Sequence, residues 1–149
     1  MRQLQFLTCL ACALIVCWTG FAQAEQSAAF GDVVVRYSAI STDQLSAESA
    51  RRYGIERGPR NGLVNIAVER KASDGTGEMI AAGVAGTVAD LAGHRRAIRF
   101  RETRDEGGVD YLGEFPLDDS GTYVFTIEVA APGRAQPYTV TFNRDYVLD

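Results

Sequence analysis

Asp118-Asp119-Ser120-Gly121-Thr122-Tyr123-Val124-Phe125-Thr126-Ile127-Glu128-Val129 is a turn followed by a strand. Four short polar or glycine residues open it, and Tyr123, Phe125, Ile127 and Val129 then recur at every second position, with Thr126 and Glu128 between them. A period of two places the apolar set on one face of an extended chain and the polar set on the other. The same rhythm recurs on both sides. Upstream, Val109 to Leu117 sets Val109, Tyr111 and Phe115 against Asp110 and Glu114, and Ala97 to Thr103 sets Ile98 and Phe100 against Arg99 and Arg101. Downstream, Pro137 to Val147 sets Tyr138, Val140 and Phe142 against Thr139, Thr141 and Asn143. Nearer the start, Phe30 to Ile40 and Leu63 to Arg70 alternate in the same way, while Met79 to Val88 is interrupted by Gly83 and Gly86. Such glycines mark a bulge or a close approach of backbones. Asn61-Gly62, Asp74-Gly75, Gly107-Gly108 and Pro132-Gly133 supply the turns. About seven strands at this spacing predict an all-β chain, two antiparallel sheets packed face to face.

The turn that opens the quoted stretch carries a further signal. Asp119-x-Gly121-x-Tyr123 matches the D-x-G-x-Y pattern at the start of strand F of immunoglobulin domains, where the tyrosine hydroxyl bonds backwards to the chain. Phe125 stands where those domains carry their second cysteine, so half of that pattern is missing. The expected fold is an immunoglobulin-like antiparallel β-sandwich, with an eight-stranded barrel or jelly roll as the alternative. One segment departs from the strand rhythm. Ser46 is a suitable helix N-cap, Ala47, Glu48 and Ala50 favour helix, and Gly54 follows as a stop, which predicts a short helix between the first two strands.

The N-terminus reads as an address. Arg2 precedes a mostly apolar stretch from Leu4 to Trp18, and Ala22-Gln23-Ala24 forms the small-x-small pattern cut by signal peptidase. The expected division is a secretory signal peptide over 1–24, cleaved before Glu25, and one domain over 25–149, with an uncleaved anchor as the alternative. Cys9, Cys12, Cys17 and Trp18 all fall in the first part. A mature chain from Glu25 therefore has neither thiol chemistry nor disulfides available to it. It keeps 14 basic and 19 acidic residues, a formal charge of −5, which argues against a general nucleic-acid binder. Thirteen of the 14 basic residues are arginine and only Lys71 is lysine, a bias that suits carboxylate and phosphate contacts but also follows from a GC-rich genome.

The residues for catalysis and metal binding are few. His94 is the single histidine, in Ala92-Gly93-His94-Arg95-Arg96, and no G-x-S-x-G element accompanies it. Met79 is the one methionine after the leader, so no soft-ligand metal site is expected, and no cofactor. Asp118, Asp119 and Ser120 offer oxygen ligands for Ca²⁺, but a solvated turn bearing the tyrosine-corner motif explains them more simply. Two arginine clusters hold more interest. Arg51, Arg52, Arg57 and Arg60 flank Tyr53-Gly54-Ile55 in the inserted segment. Inserted loops on rigid scaffolds often carry function, whereas the alternative is a helix covering an open end of the sandwich with Leu45, Tyr53 and Ile55 inward. Arg99 and Arg101, with Arg95, Arg96 and Arg104 around them, share a strand face by period-two geometry. They suit an anionic partner, or they form a solvated face balanced by Glu102, Asp105, Glu106, Asp110 and Glu114.

Several stretches together resemble a family of small exported proteobacterial proteins catalogued as a domain of unknown function. They are Phe30-Gly31-Asp32 through Tyr37, Ala50-Arg51-Arg52-Tyr53-Gly54-Ile55, Leu63-Val64-Asn65-Ile66-Ala67-Val68, Phe100-Arg101-Glu102, and Tyr138 through Tyr146. The resemblance implies a periplasmic, immunoglobulin-like β fold and carries over no catalytic residues. The expectation is a non-enzymatic periplasmic binding or envelope accessory module whose partner is another envelope protein or an anionic envelope component. Its candidate surface is Arg51, Arg52, Tyr53, Arg57, Arg60, Arg99 and Arg101. The alternatives are a small-molecule or metal-ion carrier, and a hydrolase built on His94.

Overall fold

A computed structural model describes residues 26–149. The leader, its cysteines, Trp18 and the cleavage residues Ala22, Ala24 and Glu25 lie outside the described residues. Alternation in the sequence becomes ten strands: β1 (Gln26–Phe30), β2 (Val33–Ser41), β3 (Asn61–Lys71), β4 (Gly77–Met79), β5 (Gly83–Asp90), β6 (Arg95–Ile98), β7 (Phe100–Asp105), β8 (Gly108–Pro116), β9 (Gly121–Ala130) and β10 (Tyr138–Tyr146). One antiparallel sheet has the order β1-β2-β3-β8-β7, with β4 also paired to β3, and the other has the order β10-β9-β5-β6. The fold is the immunoglobulin-like sandwich that the alternation implies.

Ten strands replace seven because three of the expected runs are each divided. Phe30 to Ile40 turns back at Gly31-Asp32, so that Phe30 pairs with Val33 and β1 forms a hairpin with β2. Met79 to Val88 changes sheets between Ile80 and Ala82: β4 pairs with β3, and β5 pairs with β9. Ala97 to Thr103 changes sheets at Arg99 alone, with β6 on β5 and β7 on β8. At the two sheet changes the apolar period continues across the break, through Ile80, Ala82 and Val84 and through Ile98 and Phe100, so periodicity by itself does not reveal it; at the hairpin it shifts by one, from Phe30 to Val33.

Between the sheets, the inward faces form one core. Phe125, Ile127, Val129, Val35, Val64, Ile66 and Val68 are completely buried in it. Aromatic rings run through this layer: Tyr37 stacks on Phe142 at 4.5 Å, Phe142 on Phe125 at 4.8 Å, and Phe115 meets Phe125 edge-on at 5.1 Å. Gly86 is the close approach that its place in a strand suggests. A Cβ there would lie 2.6 Å from Ile127 Cδ1 and 3.0 Å from the Thr126 carbonyl oxygen.

The tyrosine of the opening motif is buried at the end of this core. Its hydroxyl donates to the Asp119 carbonyl at 3.0 Å and accepts from the Asp118 and Asp119 amides at 3.1 and 3.3 Å. Asp119 takes part through its backbone. Gly121 has φ 148°, a conformation that side-chain-bearing residues rarely adopt. The turn and the strand it opens are thus fastened by one phenol.

Candidate functional site

After Ser41 the chain leaves β2, makes a 3₁₀ turn over Thr42–Gln44, forms α1 (Ala47–Tyr53) and returns to β3 at Asn61. Local chemistry sets these bounds. The Ser46 hydroxyl accepts from the Ser49 amide at 3.0 Å, and Gly54 ends the helix with φ 63° while its amide reaches the Ala50 and Arg51 carbonyls. Glu48 in the first turn and Arg51 and Arg52 in the last complement the helix dipole.

The segment lies on the outer face of the six-stranded sheet, not over an open end. Leu63 and Leu112 point away from the core because they alternate with Val64 and Tyr111, and they form a second cluster with Ile55. Ile40, Leu45 and Tyr53 pack against that cluster. Ends and middle are then tied. Thr42 is fully buried; its hydroxyl donates to the Glu56 carbonyl at 2.9 Å and accepts from the Gly58 amide at 3.0 Å. On β7, Asp105 accepts from the Tyr53 hydroxyl at 2.9 Å, and Arg101 donates to the Tyr53 carbonyl. That hydrogen bond raises the Tyr53 pKa and lowers that of Asp105.

The structure therefore separates the candidate arginines by task. Arg101, Arg57 and Arg60 hold backbone: Arg57 donates to the Asp43 carbonyl at 2.8 Å and Arg60 to the Asp118 carbonyl at 2.7 Å. Arg52 pairs with Glu48 at 3.2 Å along the helix. Arg99 stands at the crossing between the sheets, outside both strands, and is exposed. It and Arg101 belong to no common strand, although both keep outward positions. Among the described residues, Arg51 makes no ion pair or hydrogen bond through its side chain. It lines an open depression of about 540 Å³ with Ala47, Ala50, Gly54, Ile55, Glu56 and Arg57. Thus Arg51, Arg52, Tyr53, Arg57 and Arg101 come together around the insertion, while Arg60 is drawn to the Asp118 corner and Arg99 stays apart.

That corner collects residues no single motif announces. The Asp118 carboxylate meets Arg96 at 2.6 Å, and its amide bonds Tyr123. Beside it, His94 sits 2.8 Å from Asp90 through Nδ1, and the His94 amide donates to the same carboxylate at 2.9 Å. These bonds lower the Asp90 pKa. His94 therefore has a carboxylate to orient it, but Asp90 supplies all its side-chain hydrogen bonds among the described residues. Met79 ends β4, at the far end of β5 from His94. Eight strand residues separate the two ends, about 23 Å at the usual rise. Among the described residues no three His, Cys, Asp or Glu side chains are grouped as metal ligands.

Sandwich and insertion define a small β domain that carries a helical platform on one sheet. The chain belongs to the family described as domain of unknown function DUF4426, whose model matches residues 27–149. A DUF4426 family protein from Pseudomonas aeruginosa PAO1 is 31% identical, with a TM-score of 0.72 over 87% of this chain and 99% of that one. The fold also resembles FetP of uropathogenic Escherichia coli strain F11. A copper-bound FetP variant gives 15% identity and a TM-score of 0.63 over 84% of this chain and 96% of that one. FetP as isolated after recombinant expression in the periplasm gives 16% identity and 0.61 over 84% and 95%. No curated protein matches the sequence. Among the described residues no helix is long and apolar enough to cross a membrane.

Proposed function

We propose that this is an exported, non-catalytic binding module of the periplasm that presents the β2–β3 insertion to another component of the envelope. The observation that carries this reading is the separate construction of the insertion. It has its own apolar cluster and its own tethers to β7, apart from the main core between the sheets. A loop so held on a rigid sheet presents side chains in a fixed arrangement, as binding surfaces require. The leader supports the location. A photoreactive residue at position 47 in living cells should give a discrete adduct. The same residue at Thr139 or Thr141, exposed on the opposite sheet, should give none. Equal labelling from both faces would defeat the proposal.

A metal-ion carrier is the second reading, because a neighbour in fold carries copper. The wide separation of Met79 and His94 weighs against it, and metal analysis of protein from the periplasm decides it: a stoichiometric ion would favour the carrier. A hydrolase built on His94 is tested by His94→Ala, which on the proposed reading leaves the crosslink and the cellular phenotype unchanged.

A further inference from the structure

The depression beside α1 has a specific chemistry. Its floor is apolar and small, from Ala47, Ala50 and Ile55, the last two buried. Two arginines, Arg51 and Arg57, also line it. Arg57 is held by the Asp43 carbonyl, which leaves its remaining N–H donors for a ligand, and Arg51 makes no side-chain bond among the described residues. A planar guanidinium fork beside an apolar floor suits a carboxylate, which it meets with two parallel hydrogen bonds.

Resting on the binding reading above, we infer that the depression takes an acidic side chain from an extended segment of a partner protein, with Arg51 as the main contact. Two features favour a single carboxylate over a phosphate-dense lipid surface. Glu56 lines the same depression and would repel a dense array of anions. The chain from Glu25 onward also carries a formal charge of −5, which disfavours approach to an anionic leaflet. The apolar floor accommodates a small side chain beside the acidic one.

The test is an amide-shift titration of isotopically labelled protein recovered from the periplasm. The probes are an acetylated and amidated Ala-Ala-Glu-Ala-Ala peptide, inorganic phosphate and phosphatidylglycerol vesicles, taken separately. The peptide should move the amides of Ala47, Ala50, Gly54 and Ile55 saturably. Arg51→Ala should weaken that binding about tenfold, Arg51→Glu should abolish it, and Arg95→Ala, an exposed arginine on β6, should leave it unchanged. Unshifted amides elsewhere in the sandwich verify that each variant is folded. The inference is overturned if the peptide gives no saturable shift, if Arg95→Ala weakens binding as much as Arg51→Ala, or if phosphate or vesicles reproduce the shifts. A crosslink from position 47 that persists in Arg51→Ala would overturn it while leaving the wider binding reading in place.

Discussion

Strands β3 and β8 serve two apolar clusters at once. Val64 and Ile66 of β3, with Tyr111 and Phe115 of β8, face the layer between the sheets, while Leu63 and Leu112 of the same strands face the insertion. The inner cluster draws on both sheets and is crossed by stacked rings. The outer one has three buried members and depends on hydrogen bonds at its margins, from Thr42, Tyr53 and Arg101. Loss of the inner cluster removes the fold. Loss of the outer one releases a platform from a sandwich that persists, so the two should separate experimentally.

Phe125→Ala makes the largest breach. The ring is fully buried and touches Phe142 and Phe115, so about 3–5 kcal/mol of stability should go, seen as a lowered midpoint in chemical unfolding. Leu112→Ala should cost about 2–3 kcal/mol locally. Hydrogen exchange checks it: protection should fall across Thr42–Arg60 while β9 amides keep theirs. If β9 loses protection equally, the two clusters form one cooperative unit. Tyr123→Phe deletes the hydroxyl at the Asp119 corner and leaves two amides without their acceptor, for a loss of about 1–2 kcal/mol in the same unfolding assay.

The smallest effect is a dependence on pH. The Asp105 pKa is depressed below its usual 3.8, so its contribution is present above that value and is lost as pH falls through the lower folded one. Tyr53 is raised above its usual 10.0, so its contribution is complete below that value and lost as pH climbs through the higher folded one. Exchange at Ala47–Tyr53 should therefore quicken, beyond the intrinsic trend, at both extremes. Tyr53→Phe should raise it at neutral pH and remove both limbs. A variant that keeps either limb would show that another group controls the attachment.

Most of the inner cluster was legible in the sequence, because Tyr123, Phe125, Ile127 and Val129 alternate without interruption over a turn with its own signature. The outer cluster was legible only as a short helix. Leu63 reads as the start of a strand, and Leu112 breaks the alternation of β8; nothing local says that these two meet Ile55. Sheet changes at Arg99 and between Ile80 and Ala82 were hidden for the reason given by their periodicity: an inward residue stays inward whichever sheet it joins. The arginines were harder still. Composition shows their number, but only the fold shows that Arg57, Arg60 and Arg101 spend hydrogen bonds on backbone carbonyls while Arg51 does not.

The one-residue crossing at Arg99 makes the sandwich a bound book. Along that side β6 and β7 are stitched through a covalent spine; along the other, β1 and β10 meet through Phe30 stacked on Tyr138, itself under Arg134, with Tyr37 on Phe142 behind them. The described chain begins in β1 and ends just past β10, so a pull on its two ends is applied to the loose covers. Under load the sheets should part from the aromatic side first, leaving the insertion and its β7 tethers near the spine for last.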